Sequence, residues 1–208
     1  AGYCDLALCA DVCGNMGREA AKTGVSFIKP TYGMVSRFGL VAYASSMEQI
    51  GVVSGSVEGA FKGLASIAGY DKNDGTCYPE ATYVYKADGT DLSGLKIGIL
   101  GDFLPEGEEG GAEGINSFAE KLSTLGAPCE QAAFPLHQAV APVGYIIASA
   151  EGSNNLSRFD GVKFGYRPAE YKGVDDLYVK TRTEGFGTEA KIGIMMGAYV
   201  LSKEQYEK

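Results

Sequence analysis

Residues 29–51 read K-P-T-Y-G-M-V-S-R-F-G-L-V-A-Y-A-S-S-M-E-Q-I-G, and the rest of the chain is best read outward from them. Tyr32, Phe38, Leu40 and Tyr43 supply apolar bulk, while Gly33 and Gly39 suit turns. The run therefore reads as a buried structural segment. Arg37, in its middle, suits an internal ion pair or a backbone-carbonyl partner better than a catalytic role.

Around this segment lies a chain of 208 residues with 45% apolar composition, ordinary for a protein that buries a core. At roughly 100–200 residues per domain it reads as one domain spanning residues 1–208, with room for a small lobe. The net charge is −8, which argues against binding a phosphate backbone, so no nucleic-acid partner is expected. The longest apolar run, Val140–Ala150, falls short of the ~20 residues that cross a bilayer. No basic stretch followed by an apolar one marks a signal peptide. The expectation is a soluble protein of the cytoplasm or an organelle matrix, without membrane contact.

Five cysteines, an odd number, stand at 4, 9, 13, 77 and 129, which favours free thiols in a reducing compartment. Cys4, Cys9 and Cys13 follow a C-x4-C-x3-C spacing without the tight pair and fourth ligand of a thiolate metal site. The single histidine, His137, is far away in sequence. Buried inert thiols are the better reading, and neither a metal nor a cofactor is expected.

Short apolar runs alternate with amphipathic stretches, which argues for an α/β fold. Ser56 suits the N-cap of a helix over 57–68 with Phe61, Leu64, Ala65 and Ala68 inward, and Gly69 suits its stop. Residues 71–94 read as a polar surface loop, 95–100 as a buried strand, and 105–111 as an acidic, glycine-rich loop. A helix over about 113–125 with Ile115, Phe118, Ala119 and Leu122 inward, then a strand over 128–134, complete a βαβ-like unit. Residues 138–151 read as a helix with Pro142 in its first turn. Two more helices are expected over 175–184 and 188–204, joined by G-F-G.

The run at 29–51 resembles the core signature of the amidase-signature hydrolases, in the branch of the tRNA-dependent amidotransferase A subunits. The likeness continues through S-V-E-G-A-F-K-G-L-A-S-I-A-G-Y-D, L-S-G-L-K-I-G-I-L, N-L-S-R-F-D-G-V-K-F-G-Y-R and T-R-T-E-G-F-G-T-E-A-K. It implies a mixed β-sheet flanked by helices, shortened at both ends. It also implies amide hydrolysis by a Ser–cis-Ser–Lys triad on a glycine-rich turn whose N–H groups hold the oxyanion.

The loop of that family reads approximately G-S-D-T-G-G-S-I-R-Q-P-A-A-F-C-G, and here C-A-D-V-C-G-N-M-G-R-E-A-A-K-T-G stands in its place. Ala7, Leu8, Asp11, Gly14, Ala20, Ala21 and Gly24 fix the frame. In that frame the nucleophile position holds Asn15, which cannot form an acyl-enzyme. The second-serine position holds Ala10, which has no proton to relay. Two glycine positions hold Cys9 and Cys13, and a threonine position holds Val12.

The resemblance places the family's lysine upstream of residue 1 and an acidic substrate ligand beyond residue 208, so neither is expected within the chain. It places a substrate-facing tyrosine at Ala139 and a carboxylate-holding arginine at Ile192 or Gly193. Arg158, followed by Asp160, reads as a salt-bridge or loop-anchoring pair, with a residual anion pocket near Arg158 and Arg167 as the sharper alternative. Cys13 could replace the nucleophile only if His137 reached it.

The leading expectation is an amidase-signature scaffold without catalysis, acting through self-association or a protein partner. The alternative is an amide hydrolase or glutamine amidotransferase subunit completed by another segment or chain.

Overall fold

The computed structural model describes residues 2–80, 82–85, 92–104 and 111–206. Within these, β1 (Leu6–Asp11), β2 (Ser26–Ile28) and β3 (Gln49–Ser54) form an antiparallel sheet in the order β1-β3-β2. Leu8 and Ile28 both lie opposite Val52, and Asp11 lies opposite Gln49. Helix α1 (Asn15–Thr23) connects β1 to β2, and α2 (Val57–Ile67) follows β3.

Val52 is fully buried and packs with Val35 and Leu64, with Ile28, Ile50 and Ile67 around them. Burying each such side chain contributes about 1.5–3 kcal/mol. Gly63 lets α2 approach closely, since a Cβ there would stand 2.8 Å from Val52 Cγ1. Ser56 caps α2 as its position suggested, its hydroxyl accepting from Gly59 N at 3.0 Å. The helix stops at Ile67 because Ala68 turns extended and bridges to Val35.

Contacts along the chain divide into two compact units, residues 1–85 with 143–208, and residues 86–142. In the second, β4 (Ile97–Leu100) and β5 (Cys129–Ala132) pair in parallel, with a 3₁₀ turn (Gly101–Phe103) and helix α3 (Gly111–Thr124) between them. This is the βαβ unit expected from the sequence. The inward face assigned to α3 is corrected: Ile115 and Phe118 are exposed, because a two-stranded sheet is too narrow to cover a 14-residue helix. Most of the expected acidic loop, residues 105–110, lies outside the described residues, as do 81 and 86–91 of the expected polar loop.

Helix α4 (His137–Leu156) is longer than expected, and Pro142 is its sixth residue rather than part of its first turn. The ring leaves only the Gln138 carbonyl without its helical donor, so the helix continues. Helices α5 (Gly173–Gly185) and α6 (Thr188–Val200) flank the G-F-G turn. The expected helix over 188–204 breaks after Val200, where Ser202 N bonds Tyr199 O at 3.1 Å and tightens the last turn, before a short α7 (Lys203–Tyr206).

Candidate functional site

The turn from β1 into α1 is organised by one side chain. Asp11 is completely buried at the strand end. Its carboxylate accepts from Met16 N at 2.7 Å and Gly14 N at 2.9 Å, and it pairs with Lys29 Nζ at 2.7 Å. Gly14, with φ +82°, sits at the N-cap without a side chain to offer, so Asp11 performs the capping from three residues back. Lys29 also donates to Val12 O at 3.0 Å, which ties the turn to the start of the 29–51 segment. Burial alone would raise the Asp11 pKa, but the hydrogen bonds from Lys29, Met16 and Gly14 outweigh it and hold the carboxyl below its ordinary value.

Asn15 opens α1, exposed, and its side-chain oxygen accepts from Val12 N at 3.4 Å. Ala10 keeps the regular register opposite Ile50 and presents an exposed methyl. Every peptide bond among the described residues is trans. Cys13 donates its thiol to Gly144 O at 3.7 Å, and Cys9 donates to Gly51 O at 3.8 Å. Partial desolvation pushes both thiols up, although Cys13, like Cys4, is exposed and Cys9 half-buried, which corrects the expectation of buried thiols. Asp11 adds to the rise at each, while Lys29 partly opposes it at Cys13. A raised thiol pKa lowers the thiolate fraction, which disfavours Cys13 as a replacement nucleophile. His137 is engaged elsewhere, with its Nδ1 3.2 Å from Phe134 O and its ring edge-on to Phe103.

The 29–51 segment carries no regular element between β2 and β3, yet its turns are pinned throughout. Gly33 and Gly39 adopt φ +81° and +89°, as expected of turn glycines. Arg37 donates to Ser45 O and to Thr76 Oγ1 at 2.8 Å and pairs with Asp74 at 3.7 Å, so it is the internal partner its position suggested. Asp74 accepts from Arg37 N and Thr76 N, and these bonds hold its carboxyl at about 2 against the opposing effect of burial. Glu48 is buried and accepts from Tyr43 N and from Ala44 N at 3.0 Å. Tyr32 and Phe38 correct the sequence reading, for both are exposed. Tyr32 lies under the Arg37 guanidinium at 4.8 Å and donates its hydroxyl to Ser45 O at 2.9 Å.

Helix α4 clasps this segment from residues more than a hundred positions away. Glu151 accepts from Ser46 N at 2.9 Å and from the Ser46 hydroxyl. Asn155 Nδ2 donates to Tyr43 O and Ser45 Oγ, each at 3.0 Å. The Tyr43 ring fills the space left by two glycines. A Cβ at Gly152 would stand 2.6 Å from the ring, and one at Gly193 would stand 2.8 Å from the hydroxyl. Burial, with Tyr145 and Cys13 nearby, raises the Tyr43 pKa.

The remaining sequence-derived positions are scattered. Ala139 is exposed in the first turn of α4, while Gly193 is buried in α6 against Tyr43. Arg158 anchors the end of α4, its Nε donating to Asn155 O at 2.9 Å and its Nη2 to Asn155 Oδ1 at 2.8 Å. No ion pair among the described residues joins it to Asp160. Arg167 lies over Tyr171 at 5.3 Å. No group of three or more His, Cys, Asp or Glu among the described residues could hold a metal ion. No helix among them is long and apolar enough to cross a membrane.

Sequence reading missed Lys29, Glu151, Asn155 and the wedge at Tyr43. A lysine between Ile28 and Pro30 was the one available signal, since a lone cation in an apolar stretch calls for a buried partner.

An α/β scaffold with a carboxylate-pinned strand-to-helix turn, followed by a glycine-punctuated segment clasped by a distant helix, defines the class of fold. The amidase family profile matches residues 1–208, and the chain belongs to that family. It is 43% identical to the A subunit of the glutamyl-tRNA(Gln) amidotransferase of Lactococcus lactis strain IL1403, across 100% of this chain and 43% of that protein. The corresponding protein of Azoarcus strain BH72 is 41% identical across 97% of this chain and 43% of its own length. The chain thus spans less than half the length of these relatives. The crystal structure of the glutamyl-tRNA(Gln) amidotransferase A subunit from Thermotoga maritima superposes with a TM-score of 0.70 at 32% identity, covering 100% of this chain and 40% of that one. The native peptide amidase of Stenotrophomonas maltophilia, at 20% identity and a TM-score of 0.66, shares the fold.

Proposed function

We propose that this chain is a relative of the amidotransferase A subunits that does not hydrolyse amides and works by binding or assembly with itself or a protein partner. Asn15 carries the reading. It stands where the family resemblance requires a nucleophilic hydroxyl, and its amide instead returns to Val12 N as part of the turn. A carboxamide has no ionisable oxygen to attack a carbonyl. Ala10, at the position assigned to the proton relay, offers only a methyl group. Asp11, Lys29 and Gly14 still hold the turn in shape, so the frame persists around the exchanged positions.

Treatment with a fluorophosphonate probe, read by intact-mass spectrometry, tests this. The chain should remain unlabelled under conditions that label an active serine hydrolase. Stoichiometric labelling of any serine would overturn the proposal. Size-exclusion chromatography with light scattering tests the assembly role, which a strict monomer without a co-purifying partner would contradict.

The second reading is a hydrolytic protein completed by another chain. It draws support from the 41–43% identity to the curated amidotransferase relatives and from the intact Asp11–Lys29 pair. It requires a hydroxyl nucleophile from outside the β1–α1 turn.

A further inference from the structure

Between the end of α5, the G-F-G turn and the outer face of α6 lies a cavity of about 370 Å³, lined by Arg182, Thr183, Phe186, Lys191, Ile194 and Met195. The chain has a net charge of −8, yet among the described residues the charged side chains lining this cavity are two cations. Both are half-buried, and both are held by backbone carbonyls rather than carboxylates. Lys191 Nζ donates to Thr183 O at 2.6 Å, which uses one of its three protons. Arg182 Nη1 donates to Leu156 O at 3.1 Å, and its guanidinium carbon lies 5.1 Å from the centre of the Phe186 ring. Its Nε and Nη2 have no partner among the described residues. Phe186, Ile194 and Met195 make the rest of the wall apolar, and Met195 is 71% exposed at the rim.

A volume of this size falls at the lower end of small-molecule sites, which combine an apolar lining with a few polar groups that fix orientation. Two cations without a carboxylate partner among the described residues select an anion, and the apolar wall selects what is attached to it. The site lies on the opposite side of α6 from Gly193, which faces Tyr43.

We propose that this cavity binds a small anionic amphiphile, a carboxylate carrying an alkyl or aryl group, with the carboxylate between Lys191 and Arg182 and the apolar part along Phe186, Ile194 and Met195. The inference is independent of whether the chain hydrolyses amides.

Calorimetric titration of the full chain with octanoate and with octanamide separates charge from apolar contact. Octanoate should bind at least about tenfold more tightly than octanamide. Lys191→Gln should weaken octanoate about tenfold and leave octanamide unchanged. Met195→Glu, at the exposed rim, should also weaken octanoate more than octanamide, and it serves as a second variant if Lys191→Gln folds poorly. Equal binding of the two ligands, indifference of octanoate to both substitutions, or no binding of octanoate at millimolar concentration would each overturn the proposal.

Discussion

The β1–α1 turn and the segment from Arg37 to Glu48 are held by the same device and differ in what surrounds it. In each, a buried carboxylate accepts backbone N–H groups and fixes an irregular stretch. Asp11 serves Gly14 and Met16, and Glu48 serves Tyr43 and Ala44. Around Glu48, the Tyr43 ring, Gly152 and Gly193, and the α4 side chains Glu151 and Asn155 pack and bond to the segment. Around Asp11, the positions expected to carry chemistry hold Asn15, Ala10, Cys9 and Cys13. A carboxylate that pins backbone is needed for folding whatever the neighbouring residues do, whereas a nucleophile is needed only for turnover. Under the proposed function, the contrast separates residues that hold the fold from positions that would carry turnover.

The sharpest way to break the comparison is to remove the first pin. Asp11→Ala leaves the Lys29 ammonium and two N–H groups without their partner, and should cost about 3–5 kcal/mol in chemical denaturation. A loss under about 1 kcal/mol would mean that the turn does not depend on Asp11.

The second effect is a pH dependence at Asp74. Its folded pKa of about 2 lies below the ordinary carboxylate value, so its stabilisation is present above about pH 5 and is lost as pH falls towards 2. The native chain should lose about 2 kcal/mol more over that interval than Asp74→Asn. Parallel acid-unfolding curves would show that the Arg37 and Thr76 contacts do not stabilise the charged form.

Smaller again is the wedge at Tyr43. Gly193→Ala places a methyl 2.8 Å from the Tyr43 hydroxyl and should cost about 1–2 kcal/mol, largely relieved in combination with Tyr43→Phe. Additive effects would show that the two residues do not share this space. Asn15→Ala should be the mildest, a few tenths of a kcal/mol in thermal unfolding, because its bond to Val12 N is long and exposed.

Local signals in the sequence carried the elements that depend on local chemistry. The Ser56 cap follows from a capping residue and the β4–α3–β5 crossover from periodicity, while the helix read from 175 starts two residues earlier at Gly173 and the one read from 188 starts at Thr188. The short strands β1 and β2 were hidden inside a stretch read for its catalytic pattern, and three residues of β2 show no alternation. Pro142 lies in the exposed first half of α4, and the helix is anchored by its buried second half at Ala148, Ser149, Gly152 and Asn155. The clasp of Glu151 and Asn155 on residues 43–46 joins positions more than a hundred apart, and no periodicity announces such a bond. At the candidate site, the frame and its exchanged residues were what the family resemblance implies. The pairing of Lys29 with Asp11 became visible only when β1 and the start of the 29–51 segment were seen side by side.

Ammonia release from glutamine by the purified chain tests the central claim most directly. Release should be no faster than from a heat-denatured sample of the same chain, with no change on Asn15→Ala. Steady turnover that tracks native protein concentration would contradict it.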